Sequence, residues 1–194
     1  MSVALELGML SDDNIKKVLG TPLLIWRVVS PDNPNILRDV MSLSAEGWSA
    51  KREPELPPLE LTGIEKTRCG LDKAWHGVHY LLTKTPWEGN PPLNVLISGG
   101  TPVGDVDVGY GPARVLTSTE VLSLNRSLEP IDHNYLRTRF DPEDMMAKEI
   151  YPRIWDRAPA EDDTLGYCLQ YFDVFKDFVR KAVTNNMGLV VRIC

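Results

Sequence analysis

The sequence predicts a single α+β domain, rich in helix and built around a small sheet. Three observations predict it. Short apolar runs stand near both ends of the chain, Val3 to Leu7 and Leu189 to Ile193, and each suits a strand. Between them lie several amphipathic stretches with recognisable helix starts, the longest from about Asp163 to Asn185. Strands and helices do not alternate regularly, which argues against a doubly wound parallel sheet. The 194 residues and 43% hydrophobic content suit one domain, residues 1–194. A chain of this length can bury roughly 70% of its unfolded surface without a disulfide or metal staple.

Taken in order, Val3 to Leu7 opens the sheet. Ser11 caps a helix running through Leu19, with Ile15, Val18 and Leu19 on one face. Gly20-Thr-Pro22 stops it. Leu23 to Val29 suits strand and helix about equally. Pro31 to Pro34 forms a turn, and a short helix follows from Asn35 to Leu43. The stretch from Ala50 to Leu61 contains Pro54, Pro57 and Pro58 and reads as an extended surface loop or insertion. Leu71 to Thr83 reads as a helix. Asn90-Pro-Pro92 breaks the chain before a strand expected over Leu93 to Ser98. A glycine-rich loop, Gly99 to Pro112, comes next.

Thr117-Ser-Thr-Glu120 is a capping box, in which Thr117 and Glu120 satisfy each other's backbone amides. Its helix presents Val121, Leu124 and Leu128 on one face. Asp141-Pro-Glu-Asp144 starts another helix, with an acid at the cap and proline at the first position. The longest helix repeats Leu165, Cys168, Leu169, Phe172, Phe175, Val179, Ala182 and Val183 at helical spacing.

A formal net charge of -6 and a pI of about 5.1 argue against nonspecific binding to nucleic acid or to an anionic membrane, which draw on excess Lys and Arg. No apolar run approaches the roughly 18 residues of a membrane span. The apolar start lacks a basic flank and carries Glu6, unlike a signal peptide. A cytoplasmic protein is expected. Cys69, Cys168 and Cys194 form no C-x-x-C pair and read as free buried thiols.

The candidate chemistry lies in two segments. On a helical wheel, Leu71, Trp75, Val78 and Leu82 share one side. Asp72, His76, His79 and Thr83 form a polar stripe beside them, linked at i,i+3 and i,i+4. Three readings are open. Two imidazoles and a carboxylate could hold a divalent ion, although three ligands on one helix are unusual and H-E-x-x-H is absent; no metal is assigned. Alternatively, Asp72 charges His76 for proton transfer. The reading the sequence favours is structural: His79 at the core edge with a backbone partner, and His76 paired with Asp72 on the surface.

In the second segment, Gly99 and Gly100 follow an expected strand, as phosphate-binding glycines do. Gly-Lys-Ser/Thr is missing, however, and Arg114 stands where Gly109-Tyr-Gly111 would need its third Rossmann glycine. Asp105 and Asp107 would repel a phosphate unless a metal bridged them. No cofactor is expected. Tyr110 and Arg114 could hold an acidic or planar ligand. Further on, Trp155 should pack the body if buried and mark a partner contact if exposed. His133 reads as a surface residue at a helix start.

Several motifs stand in a fixed order: Leu71 to Thr83, Ile97-Ser-Gly-Gly-Thr101, Gly109-Tyr-Gly-Pro-Ala-Arg114, Leu116-Thr-Ser-Thr-Glu-Val121, Arg139-Phe-Asp141 and Ile150-Tyr-Pro152. In this the chain resembles the YfbM-like bacterial proteins, a domain family of unknown function. The resemblance covers about Cys69 to Cys194 well and Val3 to Leu19 less specifically. It implies a compact α+β protein of the bacterial cytoplasm and brings no reaction with it.

Two classes of function fit. One is a non-catalytic binding protein of the immunity or antitoxin type, whose partner is a toxin or another basic protein. The other is an enzyme with a pocket between the His76/His79 helix and the Gly99–Arg114 loop. There a histidine would transfer protons, Asp105 or Asp107 would hold a cation or orient substrate, and Tyr110 and Arg114 would position it. Candidate site residues are therefore Asp72, Trp75, His76, His79, Thr83, Gly99, Gly100, Asp105, Asp107, Tyr110 and Arg114. Binding is preferred, since neither a nucleophile elbow nor a strong cofactor motif is present. The aromatic helix around Phe172 and Phe175 could supply an interface between copies.

Overall fold

In the computed structural model, which describes residues 3–33, 35–43, 56–158 and 160–194, the two ends of the chain meet inside one sheet. Strand β1 (Leu5–Leu10) runs antiparallel to β5 (Gly188–Ile193), in register from Leu5 opposite Ile193 to Leu10 opposite Gly188. The edge strand β2 (Arg68–Gly70) flanks β1. On the other side β4 (Pro112–Leu116) pairs with β5, and β3 (Thr101–Asp107) pairs with β4. The strand order is β2-β1-β5-β4-β3, and each pairing is antiparallel. This is the α+β fold that the sequence predicts.

Both faces of the sheet are covered, which is why β1 and β5 read as apolar runs rather than alternating strands. Leu5, Leu7, Met9, Leu116, Leu189 and Val191 face the larger core. That core is closed by α4 (Trp75–Thr83), α5 (Ser118–Leu128) and α8 (Thr164–Thr184). Leu10, Val115 and Val190 face a smaller core beneath α1 (Asp12–Gly20) and α2 (Ile25–Val29). A short helix α3 (Ile36–Leu43) follows α2, while α6 (His133–Arg139) and α7 (Pro142–Ala147) connect α5 to α8.

Cap chemistry places the helices as expected. Ser11 caps α1, Thr117 and Glu120 form the capping box of α5, Asp141 caps α7, and Asp163 caps α8. Val121, Leu124 and Leu128 are fully buried. Phe172 and Phe175 belong to the larger core and are inaccessible, so they offer no interface between copies. Trp155 is buried and donates to the Ile150 carbonyl (2.7 Å), which makes it a packing residue. Buried Glu65 gathers the start of α1: its carboxylate accepts from Ser11 N (2.9 Å), Asn14 Nδ2 (2.8 Å) and Thr62 N (2.9 Å). Burial pushes its pKa up, but these donors outweigh it and hold the carboxyl at about 2.

Several expectations are corrected. The first strand starts at Leu5 rather than Val3 and continues to Leu10. The evenly balanced stretch around Trp26 is helical. Leu93 to Ser98 is not a strand but a series of turns, in which the Asn94 carbonyl accepts from Ile97, Ser98 and Gly99 N–H groups. Its apolar residues Val95 and Leu96 are buried as coil, a case that a short apolar run cannot distinguish from strand. The glycine-rich segment is not a loop: it supplies β3, a turn and the start of β4. As an edge strand, β3 is exposed along most of its length, and Pro102, Asp105 and Asp107 discourage further pairing. Much of the Pro-rich stretch from Ala50 to Leu61 lies outside the described residues. Of its remainder, Leu56, Leu59 and Leu61 pack on the smaller core rather than standing off as a surface loop. Cys69 and Cys168 are buried as expected, whereas Cys194 is exposed.

Candidate functional site

The histidine helix is shorter than its sequence suggests. Asp72 has a φ of +43° and lies in a 3-10 turn before α4, so it is out of phase with the helix. Its Oδ2 accepts from the Tyr167 hydroxyl (2.7 Å), not from His76. Trp75 opens α4 and donates from Nε1 to the Val3 carbonyl (3.3 Å). Thr83 closes it by donating back to the His79 carbonyl (2.9 Å). The polar stripe therefore does not exist as a surface.

Both histidines are wholly inaccessible. His76 lies parallel to Trp75, with ring centroids 4.9 Å apart, and meets Trp87 at 4.5 Å. Its Nε2 is 2.7 Å from the Pro86 carbonyl, and its Nδ1 accepts from Tyr151 N–H (3.1 Å). These two bonds require the neutral ring protonated on Nε2. Burial pulls its pKa down to about 4, against a smaller opposing pull from the Pro86 carbonyl. His79 stands 6.5 Å from His76, centroid to centroid, and neither of its ring nitrogens makes a hydrogen bond of good geometry, although the Glu88 backbone lies close enough to pull its pKa slightly upward. Burial, then the neighbouring His76, hold it at about 4 as well. A ring that is neutral, enclosed and already hydrogen-bonded on both sides has no lone pair to offer a substrate, which describes His76. The sequence missed this because a histidine beside an apolar stripe reads as polar surface.

The glycine-rich segment also divides. Asp107 Oδ1 accepts from Gly109 N (2.9 Å) and Gly111 N (3.0 Å), fastening the hairpin turn. Asp105 is exposed on the edge strand. Arg114 donates to the carbonyls of Val95 (2.8 Å), Leu96 (3.0 Å) and Gly99, clamping the 91–99 turns onto β4. Burial pulls its pKa down to about 10, which leaves it charged at neutral pH. Tyr110 is 54% exposed and lines, with Arg114, a hollow of about 210 Å³ at the end of β5. Among the described residues, no group of three His, Cys, Asp or Glu side chains stands close enough to share a metal ion.

Gly99 and Gly100 lead elsewhere. They line a cleft of about 430 Å³ with Pro91, Pro92, Asn94, Ser98, Thr101 and Leu116, closed by Glu120 and Ser123 of α5. Of the sequence candidates, only these two glycines reach it; His76 and His79 do not. Asn94 is the residue that sequence reasoning missed. It is buried, its Nδ2 donates to Ser98 Oγ (3.1 Å), and its Oδ1 has no partner. Glu120 was legible as a capping residue, but one of its oxygens remains free for the cleft. Its Oε2 accepts from Thr117 N (2.7 Å) and Thr117 Oγ1 (2.8 Å).

The profile of a family described as a domain of unknown function, DUF1877, matches residues 1–192. The fold is similar to the crystal structure of YfbM from Escherichia coli, a protein of unknown function. The TM-score is 0.64 at 18% identity, over 98% of this chain and 99% of that one. No curated protein matches the sequence.

Proposed function

The chain belongs to the DUF1877 family, and on that premise we propose that it is a non-catalytic binding protein that presents the cleft beside α5 to a protein partner. The observation that carries this is the cleft's lining. Apart from Glu120, the side chains there do not titrate, and the polar ones, Asn94, Ser98, Thr101 and Ser123, are groups that orient a ligand rather than transform it. Pro91, Pro92 and Leu116 supply apolar walls between them. The formal charge of -6 favours a basic partner, in the manner of an immunity protein and its toxin.

Capture from the source cell tests it. Ser123→Trp fills the cleft from an exposed helix position, and Leu19→Ala alters an exposed residue of α1 on the opposite side of the sheet. Wild type and Leu19→Ala should retain the same partner, and Ser123→Trp should lose it at least about tenfold, a cost of roughly 1.4 kcal/mol. Capture that ignores Ser123→Trp contradicts the proposal.

A further inference from the structure

We infer that the cleft is a socket for a basic side chain of the partner, an arginine guanidinium above all; this rests on the binding function proposed above. The side chains lining the cleft offer acceptors and no cation, and Arg114 behind its wall spends its guanidinium on the carbonyls of Val95, Leu96 and Gly99. Asn94 is only 8% exposed, and its Oδ1 is enclosed without a donor. A buried amide oxygen left unpaired is costly, and a ligand N–H removes that cost. Asn94 lines the cleft, which puts its amide beside any group that enters there.

Glu120 supplies the charge. Both of its bonds to Thr117 use Oε2, which leaves Oε1 open. The positive end of the α5 dipole would oppose a cation, but it is already offset by two carboxylates. Asp12 accepts from Ser118 N (2.8 Å) and Ser118 Oγ (2.6 Å), while Glu120 closes the capping box. Glu120 Oε1 thus remains as an acceptor for a cation beside a helix start. Guanidinium is favoured over ammonium because its planar fork of five donors can meet separated acceptors at once. Apolar walls from Pro91 and Leu116 suit the side chain's methylene stem.

The test is a titration of isotope-labelled protein with N-acetyl-arginine amide, followed by amide NMR at low salt. Shifts should concentrate at Ser98, Gly99, Gly100, Thr101 and the Asn94 side-chain amide. N-acetyl-citrulline amide, similar in shape but uncharged, should produce almost none. Glu120→Gln keeps the capping box, since glutamine serves the same position, and should weaken arginine binding about tenfold. Equal responses to arginine and citrulline, shifts spread over the acidic surface, or unchanged affinity in Glu120→Gln would each overturn the socket. If the socket fails while Ser123→Trp still abolishes capture, the binding function stands with a different occupant. Arginine binding with capture indifferent to Ser123→Trp overturns the function and sustains the socket.

Discussion

The histidine helix α4 and the glycine-rich hairpin β3–β4 both carry residue types that suggest chemistry, but α4 turns its histidines inward, while the hairpin leaves Asp105, Asp107 and Tyr110 outward. In α4, His76 and His79 lie in the larger core's shadow, closed to water, with His76 stacked on Trp75 and His79 beside it. In the hairpin, Asp105 and Tyr110 face solvent, and Asp107 binds only its own turn. The difference teaches that a residue type suggests chemistry only once its exposure is known. The glycines beside the hairpin reach a cleft, and the histidines do not line it.

The largest expected effect comes from acid. Both histidines have folded pKa values near 4, depressed from 6.5. The unfolded chain therefore takes up protons first. The stability these rings contribute is fully present above pH 6.5 and is lost as pH falls through about 4. By pH 4.5 the loss should be about 2–3 kcal/mol for each ring, read from urea unfolding at pH 7 and pH 4.5. Glu65 adds its own loss lower down, between its ordinary 4.5 and about 2, so the two windows overlap only at the foot of the histidine one. His79→Leu should roughly halve the histidine drop and leave stability at pH 7 unchanged or raised, because that ring makes no well-formed hydrogen bond and has only a weak contact with the Glu88 backbone to lose. His76→Leu should cost stability at pH 7, since Tyr151 N–H and the Pro86 carbonyl lose theirs. A flat profile from pH 7 to pH 4.5 would mean that the histidines are not enclosed, and the contrast with the hairpin would fail.

How much of this was legible follows from where information is local. Caps are local, and Ser11, Thr117, Asp141 and Asp163 placed four helix starts correctly. The spacing of α8 likewise identified most of its buried face, missing Thr164 and Phe178 and including Leu165 and Val183, which are partly buried. The edge strand β3 was not legible, because an exposed strand with proline, glycine and acids lacks the apolar pattern that marks a strand. Nor was the histidine environment. Trp87, Pro86 and Tyr151 enclose His76 from loops, and nothing in Leu71 to Thr83 announces them. The cleft was half legible: its glycines were noticed, but Asn94 lay in a stretch read as strand, and Glu120 was taken only as a cap.

Glycine substitution sharpens the contrast further. Gly77 lies on the buried side of α4, where an added Cβ would stand 2.5 Å from the Trp155 ring and 2.7 Å from Cys168 Sγ. Both neighbours are enclosed and cannot retreat cheaply. Alanine normally favours a helix, yet Gly77→Ala should destabilise by about 2–3 kcal/mol, because overpacking outweighs the roughly 1 kcal/mol gained in propensity. Urea midpoints at pH 7 measure it. A variant as stable as wild type would show that α4 can shift away from Trp155.

The smallest effect should come from Gly111 in the hairpin turn. Its φ is +91°, a conformation that L side chains rarely adopt, but a Cβ there would meet nothing within 4 Å. Gly111→Ala therefore carries a backbone cost without a packing cost, about 1 kcal/mol. Its N–H can still donate to Asp107, so the turn need not open. Hydrogen exchange should report the change locally, with faster exchange at Val108 and Gly111 and little change in α4. A loss equal to that of Gly77→Ala, or one spread across the larger core, would show that the hairpin is held as tightly as the helix. Its outward residues would then have to be read as structural too.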